Sequence, residues 1–360
     1  MVIVGNDPNQ MAALATRFCR SLASQWSPDS FAAAVEDLSR LKVLVVGDTI
    51  FDRYSYLKVQ GLTSKNRIIS GRFLDEETQC GGALAVLRHV KQFTSHVKFI
   101  SLVGTESWVD PVLADYVAPE EDLVLREPQF TTVIKQRFVE PLAAGKELVK
   151  LFSVNYIDGD PPAAAVQERV RAQISAHIRW ADVVLALDFG HGLMQTPVRD
   201  FVQEHSPFLA LNCQTNSNNH GFNIISRQYR RADAFTLDNN ELMLACGHRH
   251  IDFGIELGKL RQEFRAKYAW LTRGNIETIG QQLGHGDCLC PPLELEVVDT
   301  VGAGDAFFSI VALAAARGLD IAIGTFLGQL AGGQAVKIVG NAHPISKALL
   351  LKTGRELLVS

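Results

Sequence analysis

The residues with the clearest capacity for chemistry lie in the segment Val297–Phe308, VVDTVGAGDAFF. A short β run is expected to end at Asp299, and a loop containing Gly302 and Gly304 then leads into an apolar helix. Small residues at a helix start let backbone N–H groups converge on an anion, and the helix dipole favours negative charge there. Asp305 stands in the first helical turn, where its carboxylate can take a proton from a hydroxyl group. The segment therefore indicates transfer of an anionic group, such as a phosphoryl group, to a hydroxyl.

The same segment also has a plainer interpretation. Glycines begin many helices without binding a ligand, and Asp305 can stabilise the first helical turn simply through its charge. Taken alone, the segment leaves both interpretations open. The sequence contains no Gly-x-x-x-x-Gly-Lys-Ser/Thr motif, which argues against a P-loop enzyme.

The composition is that of an ordinary globular protein. Of the 360 residues, 47% are hydrophobic and 21% are charged, and the formal net charge is −4. This balance gives no basic footprint for nucleic acid, so any phosphate binding must come from local groups. The first residues do not resemble a secretory signal, and no apolar run reaches the length of a membrane-spanning helix. We therefore expect a cytoplasmic protein without membrane contact.

The cysteines support a reducing compartment. The sequence contains no Cys-x-x-Cys pair, and we expect free, mostly buried thiols. The six cysteines are Cys19, Cys80, Cys213, Cys246, Cys288 and Cys290. His248 and His250 lie near one of them, but they lack a fourth ligand at the spacing of a zinc site.

Strand-like and helix-like stretches alternate along most of the chain. Residues 1–40 predict an N-terminal helical extension, and residues 41–360 predict the main domain. Apolar runs typical of buried strands lie at Lys42–Val46, Val97–Val103, Val183–Leu187, Phe208–Leu211, Ala234–Leu237 and Tyr268–Leu271. Helical patterns between them include Ala83–Val90, Pro162–Trp180 and Ala303–Ala316. This alternation predicts an α/β protein with a mostly parallel sheet and helices on both faces.

Two segments interrupt that order. Residues 53–75 and 130–155 alternate polar and apolar positions with no helix between the strands. We expect them to pair as a small antiparallel flap over one edge of the main sheet.

Several segments resemble the ribokinase/PfkB family of carbohydrate kinases. Asp299–Phe308 is similar to the C-terminal signature of the family, and Val45–Tyr54 and Cys80–Ala85 stand where the family has its first strand and its di-glycine substrate motif. Asp182–Gly192 and Leu211–Ser217 are similar to segments in the sugar-kinase half of the bifunctional heptose kinase/adenylyltransferases. The resemblance runs from about residue 41 to about residue 350. It implies a Rossmann-like sandwich with a small β flap.

The resemblance also implies a role for each matching residue. Those expected to act in catalysis are Asp305 as the base and the backbone of Gly302, Ala303 and Gly304 as the anion hole. Those expected to contact the substrate are Asp48, Asp52, Gly81 and Gly82. Those expected at the nucleotide are Asn212, Thr272, Arg273 and Gly274, with Asn341 near the adenine. Alternatively, Asp48 caps a turn, Gly81 and Gly82 only begin a helix, and Arg273 is a solvated loop charge.

This sequence departs from the family pattern at several positions. The family motif Asn-x-x-Glu begins here with Asp238, while Glu241 keeps the carboxylate that is expected to help organise Mg²⁺. Ala85 replaces an Asn that contacts the sugar. His191 and the segment Asn212–Gln214 replace lysine-containing positions of the heptose kinases, so two anion-binding lysines are missing.

Other positive charges are candidates to replace the missing lysines. Lys65 and Arg67, in the first flap segment, can supply charge to a phosphorylated substrate, although both also fit an ordinary charged surface. His191 is expected either to titrate near neutrality and contact phosphate, or to be a structural histidine.

The resemblance implies a kinase that uses ATP and Mg²⁺ to phosphorylate a hydroxyl of a sugar or sugar phosphate, with C1 of heptose 7-phosphate as the specific expectation. The alternatives are a kinase for a nucleoside or other polyol, and a non-catalytic sugar- or nucleotide-binding member of the fold. The resemblance also implies a homodimer formed through the flap. A separate nucleotidyltransferase is a further expected partner.

Overall fold

The computed structural model describes residues 8–143, 147–216 and 219–359. Residues 1–7 of the expected N-terminal extension, 144–146 of the second flap segment and Ser217 of the family-like segment lie outside the described residues. Among the described residues, no helix is both long and apolar enough to cross a membrane. All six cysteines are free, and five of them are buried.

The strands, in chain order, are β1 (Val43–Gly47), β2 (Thr49–Leu62), β3 (Ile69–Gly81), β4 (Val97–Ile100), β5 (Leu102–Val103), β6 (Leu125–Arg126), β7 (Val133–Ala143), β8 (Glu147–Tyr156), β9 (Val183–Asp188), β10 (Leu209–Cys213), β11 (Ala234–Asp238), β12 (Tyr268–Thr272), β13 (Thr278–Gln282) and β14 (Cys288–Cys290).

The α-helices are α1 (Pro8–Ala23), α2 (Pro28–Asp37), α3 (Gly82–Val90), α4 (Val109–Ala114), α5 (Ala164–His177), α6 (Thr196–His205), α7 (Ile225–Gln228), α8 (Asn239–Cys246), α9 (Phe253–Glu263), α10 (Ala303–Ala316), α11 (Ile321–Ala335) and α12 (Lys347–Val359). Short 3₁₀ turns occupy Leu38–Arg40 and Ile178–Trp180.

The main sheet has eight strands in the order β14-β13-β12-β11-β10-β9-β1-β4. The six strands from β12 to β4 are parallel, and β13 and β14 run antiparallel to them. Every residue of β1 and β9 is buried, although successive side chains of a strand point to opposite faces, so helices must cover both faces of the sheet. The predicted mostly parallel α/β fold is confirmed.

The parallel strands bring the predicted site residues to one edge of the sheet. Asp48 follows β1 directly, Asn212 lies near the end of β10, and Asp238 and Thr272 are the last residues of β11 and β12. Because the carboxyl ends of parallel strands share an edge, these side chains converge there, as ligand-binding residues of open α/β sheets do.

The flap is a four-stranded sheet in the order β3-β2-β7-β8. Its outer pairs are antiparallel, but the central strands β2 and β7 are parallel, which differs from the expected antiparallel arrangement. The two central strands are parallel because both begin at the same end of the flap, where Ile50 near the start of β2 pairs with Val133 at the start of β7.

The N-terminal helices α1 and α2 pack against α12. Phe31 of α2 meets the ring of Phe326 on α11 edge-on, with ring centroids 5.7 Å apart, and Phe18 of α1 approaches the same ring at 6.5 Å. These helices therefore cover the outer surface of α11 rather than extend the sheet.

Two predicted elements were wrong. The β run expected to end at Asp299 is not a strand, because the N–H groups of Val298 and Asp299 donate to Val336 O and none of the described strands pairs with this segment. The predicted strand Val97–Val103 divides into β4 in the main sheet and β5, which pairs with β6.

Candidate active site

The glycine-rich loop makes a sharp turn into α10. Gly302 caps the helix with φ +83°, and a Cβ at this position would collide with Asn341 Oδ1. Only glycine adopts this left-handed backbone readily, so the sequence fixes the turn. A Cβ at Gly304 would meet nothing within 4 Å, so the space above the first helical turn is open.

The N–H groups at this helix start are the predicted anion hole. The first amides of a helix have no intrahelical acceptor, and here they adjoin the open space beside Gly304. The amide of Ala303 reaches Thr300 O only at 3.4 Å, a long hydrogen bond that an incoming anion can replace. The arrangement is suited to an anion, and the role in catalysis remains a prediction.

Asp305 lies in the first turn of α10 and faces a cavity of about 230 Å³, which we call the small cavity. Gln214 Nε2 donates to its Oδ1 at 3.3 Å. Burial and the negative charge of Asp52 raise the pKa of Asp305 to about 7, although the charge of Lys135 opposes the rise. A carboxylate with a pKa near neutrality can both accept and release a proton under physiological conditions.

A second cavity, the wide groove, lies on the other side of the glycine loop and has a volume of about 670 Å³. Thr300 and Gly304 line both cavities. Two different compounds can therefore occupy the two cavities and meet at the start of α10, next to Asp305.

Asp52 lines the small cavity from the base of the flap and is buried. It forms an ion pair with Arg137 and accepts a hydrogen bond from Asn341 Nδ2 at 3.5 Å. A Cβ at Gly81 would collide with the Asp52 carboxylate, so this glycine makes room for it. Gly82 lines the same cavity with φ +57°, and a Cβ there would lie 2.6 Å from Asp48 O.

Asp48 does not line either cavity. Its carboxylate oxygens accept the backbone N–H groups of Phe189 at 3.1 Å, His191 at 3.2 Å and Leu193 at 3.0 Å. In this structure Asp48 therefore holds the loop after β9, which is close to the turn-capping alternative. Burial and the charge of Asp188 raise the pKa of Asp48 to about 6.

Lys135 and Arg137 are the positive charges of the small cavity, and the sequence analysis missed both. They are two residues apart on β7 and so share one face of the flap. Among the described residues no carboxylate forms an ion pair with Lys135, and its ammonium lies 5.9 Å from the ring centre of Phe189. Burial lowers the pKa of Lys135. The two-residue spacing of Lys135 and Arg137 along β7 was the sequence feature that could have drawn attention to them.

The charges proposed from the sequence lie elsewhere. Lys65 and Arg67 are exposed in the turn between β2 and β3. That turn is ten residues along β2 from Asp52, roughly 30 Å of extended chain, so neither side chain lines the small cavity. Burial and the charge of Lys135 lower the pKa of His191 to about 3, so the expectation that this histidine titrates near neutrality was wrong.

Three of the predicted nucleotide residues line the wide groove: Asp238, Thr272 and Gly274. The guanidinium of Arg273 turns away, pairing with Glu277 at 2.6 Å and lying over the ring of Phe253. Asn212 is buried and donates to Thr236 Oγ1 at 2.9 Å, and within the described ranges its Oδ1 has no hydrogen-bond partner.

Asn341 is placed differently from the expectation. It lines the small cavity between Asp52 and Gly302 rather than the wide groove where an adenine would fit. Its backbone N–H donates to Gln79 Oε1 at 2.7 Å, and Arg88 Nη1 donates to its carbonyl at 2.7 Å. These bonds from the flap and from α3 hold the residue beside the small cavity.

Asp238 and Glu241 form a capping box at the start of α8. Burial and the charge of Asp238 raise the pKa of Glu241 to about 8. Within the described residues no three acidic, His or Cys side chains gather as a closed metal site. Mg²⁺ usually binds through one or two carboxylates, with phosphates and water completing its shell, so these two residues fit a nucleotide-bound Mg²⁺.

Comparisons with known proteins agree with this geometry. The pfkB family carbohydrate kinase profile matches residues 223–348, which include the glycine-rich loop and Asp305. The bifunctional protein HldE of Acidiphilium cryptum is 26% identical over 86% of this chain, and that of Rhodospirillum rubrum is 25% identical over 87%. This chain spans 63% and 62% of the length of these two relatives.

Solved structures show the same fold. Arabidopsis thaliana ribokinase complexed with ribose and ATP aligns with a TM-score of 0.65 and 17% identity, covering 88% of this chain and 98% of that one. Phosphofructokinase-2 of Escherichia coli, in complex with substrates and products, aligns with a TM-score of 0.66 and 13% identity, covering 88% and 98%.

These matches confirm the resemblance seen in the sequence. Residues 223–348 match the PfkB family of carbohydrate kinases, and the chain has a ribokinase-like fold.

Proposed function

We propose that this chain transfers the γ-phosphoryl group of ATP to a hydroxyl of a sugar that carries an acidic group, with C1 of heptose 7-phosphate as the specific acceptor. The observation that carries the proposal is the meeting of the small cavity and the wide groove at Thr300 and Gly304, directly beside Asp305. A phosphoryl donor and an acceptor need such a shared point of contact.

Each step of the transfer has a candidate group in this chain. The acceptor hydroxyl gives its proton to the Asp305 carboxylate while its oxygen attacks the γ-phosphorus, and ADP leaves into the wide groove. The amides of Gly302, Ala303 and Gly304 donate to the phosphoryl oxygens as charge develops on them. Mg²⁺, when bound beside Asp238 and Glu241, would neutralise phosphate charge.

An acidic acceptor is supported by Lys135. In the described part of the chain this ammonium lines the small cavity without an ion-pair contact to a carboxylate, whereas the neighbouring Arg137 is already paired with Asp52. A partly buried cation without an ion-pair partner is costly, and a phosphate of the acceptor would supply the partner. Lys135 can thereby replace the positive charge that is absent at His191 and Gln214.

The substitution Lys135→Met tests the acidic acceptor. At about pH 9, where Asp305 is ionised with or without the Lys135 charge, we expect kcat/KM to fall roughly 10- to 100-fold for a phosphorylated sugar, because a charge-assisted hydrogen bond is lost, and to change little for the same sugar without phosphate. Steady-state ADP release with both sugars measures this. An equal loss for the two sugars would remove the acidic-acceptor proposal.

The pKa of Asp305 predicts the pH dependence. Because the pKa is raised to about 7 and only the ionised carboxylate is a base, kcat/KM for the acceptor should rise with pH and level off above about pH 8. Replacing Asp52 by Asn removes a neighbouring negative charge, so the acid limb should move to lower pH. A profile that stays flat down to about pH 5.5 would contradict the assignment.

A panel of acceptors tests the function as a whole. ADP release should be stimulated by a sugar phosphate more than by the free sugar, a nucleoside or another polyol. Stimulation by the nucleoside alone would favour the second kind of kinase. If no acceptor stimulated ADP release while ADP still bound, the non-catalytic alternative would replace this proposal.

The partners and location of the protein are also proposals. The flap exposes Ile69, Phe73 and Phe152, whose exposed fractions are 55%, 61% and 51%, and a second flap of the same kind would cover them in a homodimer. Sedimentation of the protein, with Phe73→Ser as the disrupted control, tests this. We further propose cytoplasmic function beside a separate nucleotidyltransferase, which co-purification would reveal.

A further inference from the structure

A β-bulge in β8 changes the direction of Lys150. Phe138 pairs with Phe152, but the next residue, Val139, pairs with Lys150, so Leu151 is an extra residue in β8. Paired residues of an antiparallel ladder share a face. Phe152 is 51% exposed on the outer face, whereas Val139 is fully buried on the inner face. Without the bulge, Lys150 would lie on the outer face with Phe152, and with it Lys150 lies on the inner face.

From that face Lys150 reaches the main domain. Its ammonium donates to Asp299 Oδ1 at 2.9 Å, and Asp299 is only 6% exposed. The same carboxylate accepts the N–H of Val301 at 3.2 Å and the N–H of Gly340 at 3.0 Å. Burial would raise the pKa of Asp299, but the bonds from Lys150, Val301 and Gly340 hold this pKa below its usual range.

Asp299 thereby connects the two loops that border the anion hole. Val301 precedes Gly302 at the turn into α10. Gly340 precedes Asn341, whose side chain packs against Gly302. The Lys150 ammonium, from the flap, forms the ion pair with this buried carboxylate, and the lysine side chain itself is 44% exposed.

We propose that Lys150 is a positioning residue, which fixes the anion-hole loop through Asp299 only while the flap is docked on the main domain. This inference rests on the proposed phosphotransfer, because the loop that it positions is the proposed anion hole. The bulge at Leu151 then has a role, because the extra residue brings Lys150 to the inner face of the flap.

The first test does not depend on activity. In Lys150→Met, Asp299 remains buried without its cation, so its bonds to Val301 and Gly340 should weaken. We expect the amides of these two residues to exchange with deuterium at least about ten-fold faster than in the unmodified chain. Lys58→Met is the matched control, because Lys58 pairs with Glu140 at 3.2 Å within the flap and should leave these amides unchanged.

The second test measures turnover with the best acceptor. Lys150→Met should lower kcat roughly 10- to 100-fold with a smaller change in the KM for ATP, because a displaced anion hole weakens mainly the transition state. Lys150→Arg should retain most of the rate, since a guanidinium group can also pair with Asp299.

The outcomes separate this inference from the proposed function. Unchanged amide exchange in Lys150→Met would overturn the inference, whatever the activity. Faster exchange with an unchanged kcat would also overturn it, because Asp299 would then not position the catalytic loop. Faster exchange in a chain that phosphorylates nothing would support the flap-to-loop connection and count against the phosphotransfer itself.

Discussion

Replacing Asp305 by Asn is expected to lower kcat about 10²- to 10⁴-fold, the usual contribution of a positioned base. The amide has nearly the shape of the carboxylate but cannot take the proton of the acceptor hydroxyl. Because Asp305 faces the small cavity, the affinity for ADP in the wide groove should change little. Single-turnover phosphorylation and calorimetric titration with ADP measure the two quantities separately.

Stability provides the control for this variant. Burial raises the pKa of Asp305 to about 7, so the ionised side chain is less favourable in the folded chain than in the unfolded one. Its contribution therefore destabilises the fold above neutrality. At about pH 8, Asp305→Asn should unfold at the same or a higher temperature than the original chain. Near-normal turnover in a well-folded Asp305→Asn protein would exclude this residue as the base.

Replacing Gly302 by Ala is expected to lower kcat about 10²- to 10³-fold, the loss seen when an oxyanion donor is removed. The added Cβ would have to adopt φ +83° and would collide with Asn341 Oδ1. The turn must then shift, and its amides no longer converge on the phosphoryl group. Steady-state kinetics with saturating ATP and acceptor measures the loss.

Gly247→Ala is the matched control for backbone strain. Gly247 ends α8 with φ +72°, and a Cβ there meets nothing within 4 Å. This variant therefore carries a similar left-handed backbone cost without a collision and lies away from both cavities. It should unfold at a lower temperature but keep its kcat. A comparable loss of kcat in both glycine variants would attribute the effect to general stability rather than to the anion hole.

The sequence predicted those parts of the molecule that local patterns determine. Continuous apolar runs such as Val183–Leu187 predicted parallel strands, because a strand buried on both faces cannot alternate. Gly302 and Asp305 are neighbours in the chain, so their relation to the helix start followed from spacing alone. The structure adds that this helix start lies between two cavities.

The charges of the flap could not be placed from the sequence in the same way. Alternation shows that Lys135 and Arg137 share a face, but the choice between the inner and outer face depends on how the flap docks. Lys65 is an equally good candidate in the sequence, but the structure shows that β2 is long and that Lys65 lies far from the main sheet. The bulge at Leu151 depends on pairing with β7, so the contact between Lys150 and Asp299 could not be predicted from the sequence.

Asn341 was misplaced for a similar reason. Its loop follows α11 at the end of the domain, and a loop position is determined by long-range contacts rather than by local pattern. Here Gln79 from the flap and Arg88 from α3 hold the loop beside Asp52. The consequence is a side chain that borders the small cavity and Gly302 together.

The central claim is that donor and acceptor meet at the start of α10, in front of Asp305. A crystal structure of the protein with ADP, Mg²⁺ and a sugar phosphate tests it most directly. We expect ADP in the wide groove bordered by Thr272 and Gly274, and an acceptor hydroxyl roughly 2.6–3.2 Å from an Asp305 carboxylate oxygen. A sugar bound with all its hydroxyls remote from Asp305, or a nucleotide bound outside the groove, would contradict the account.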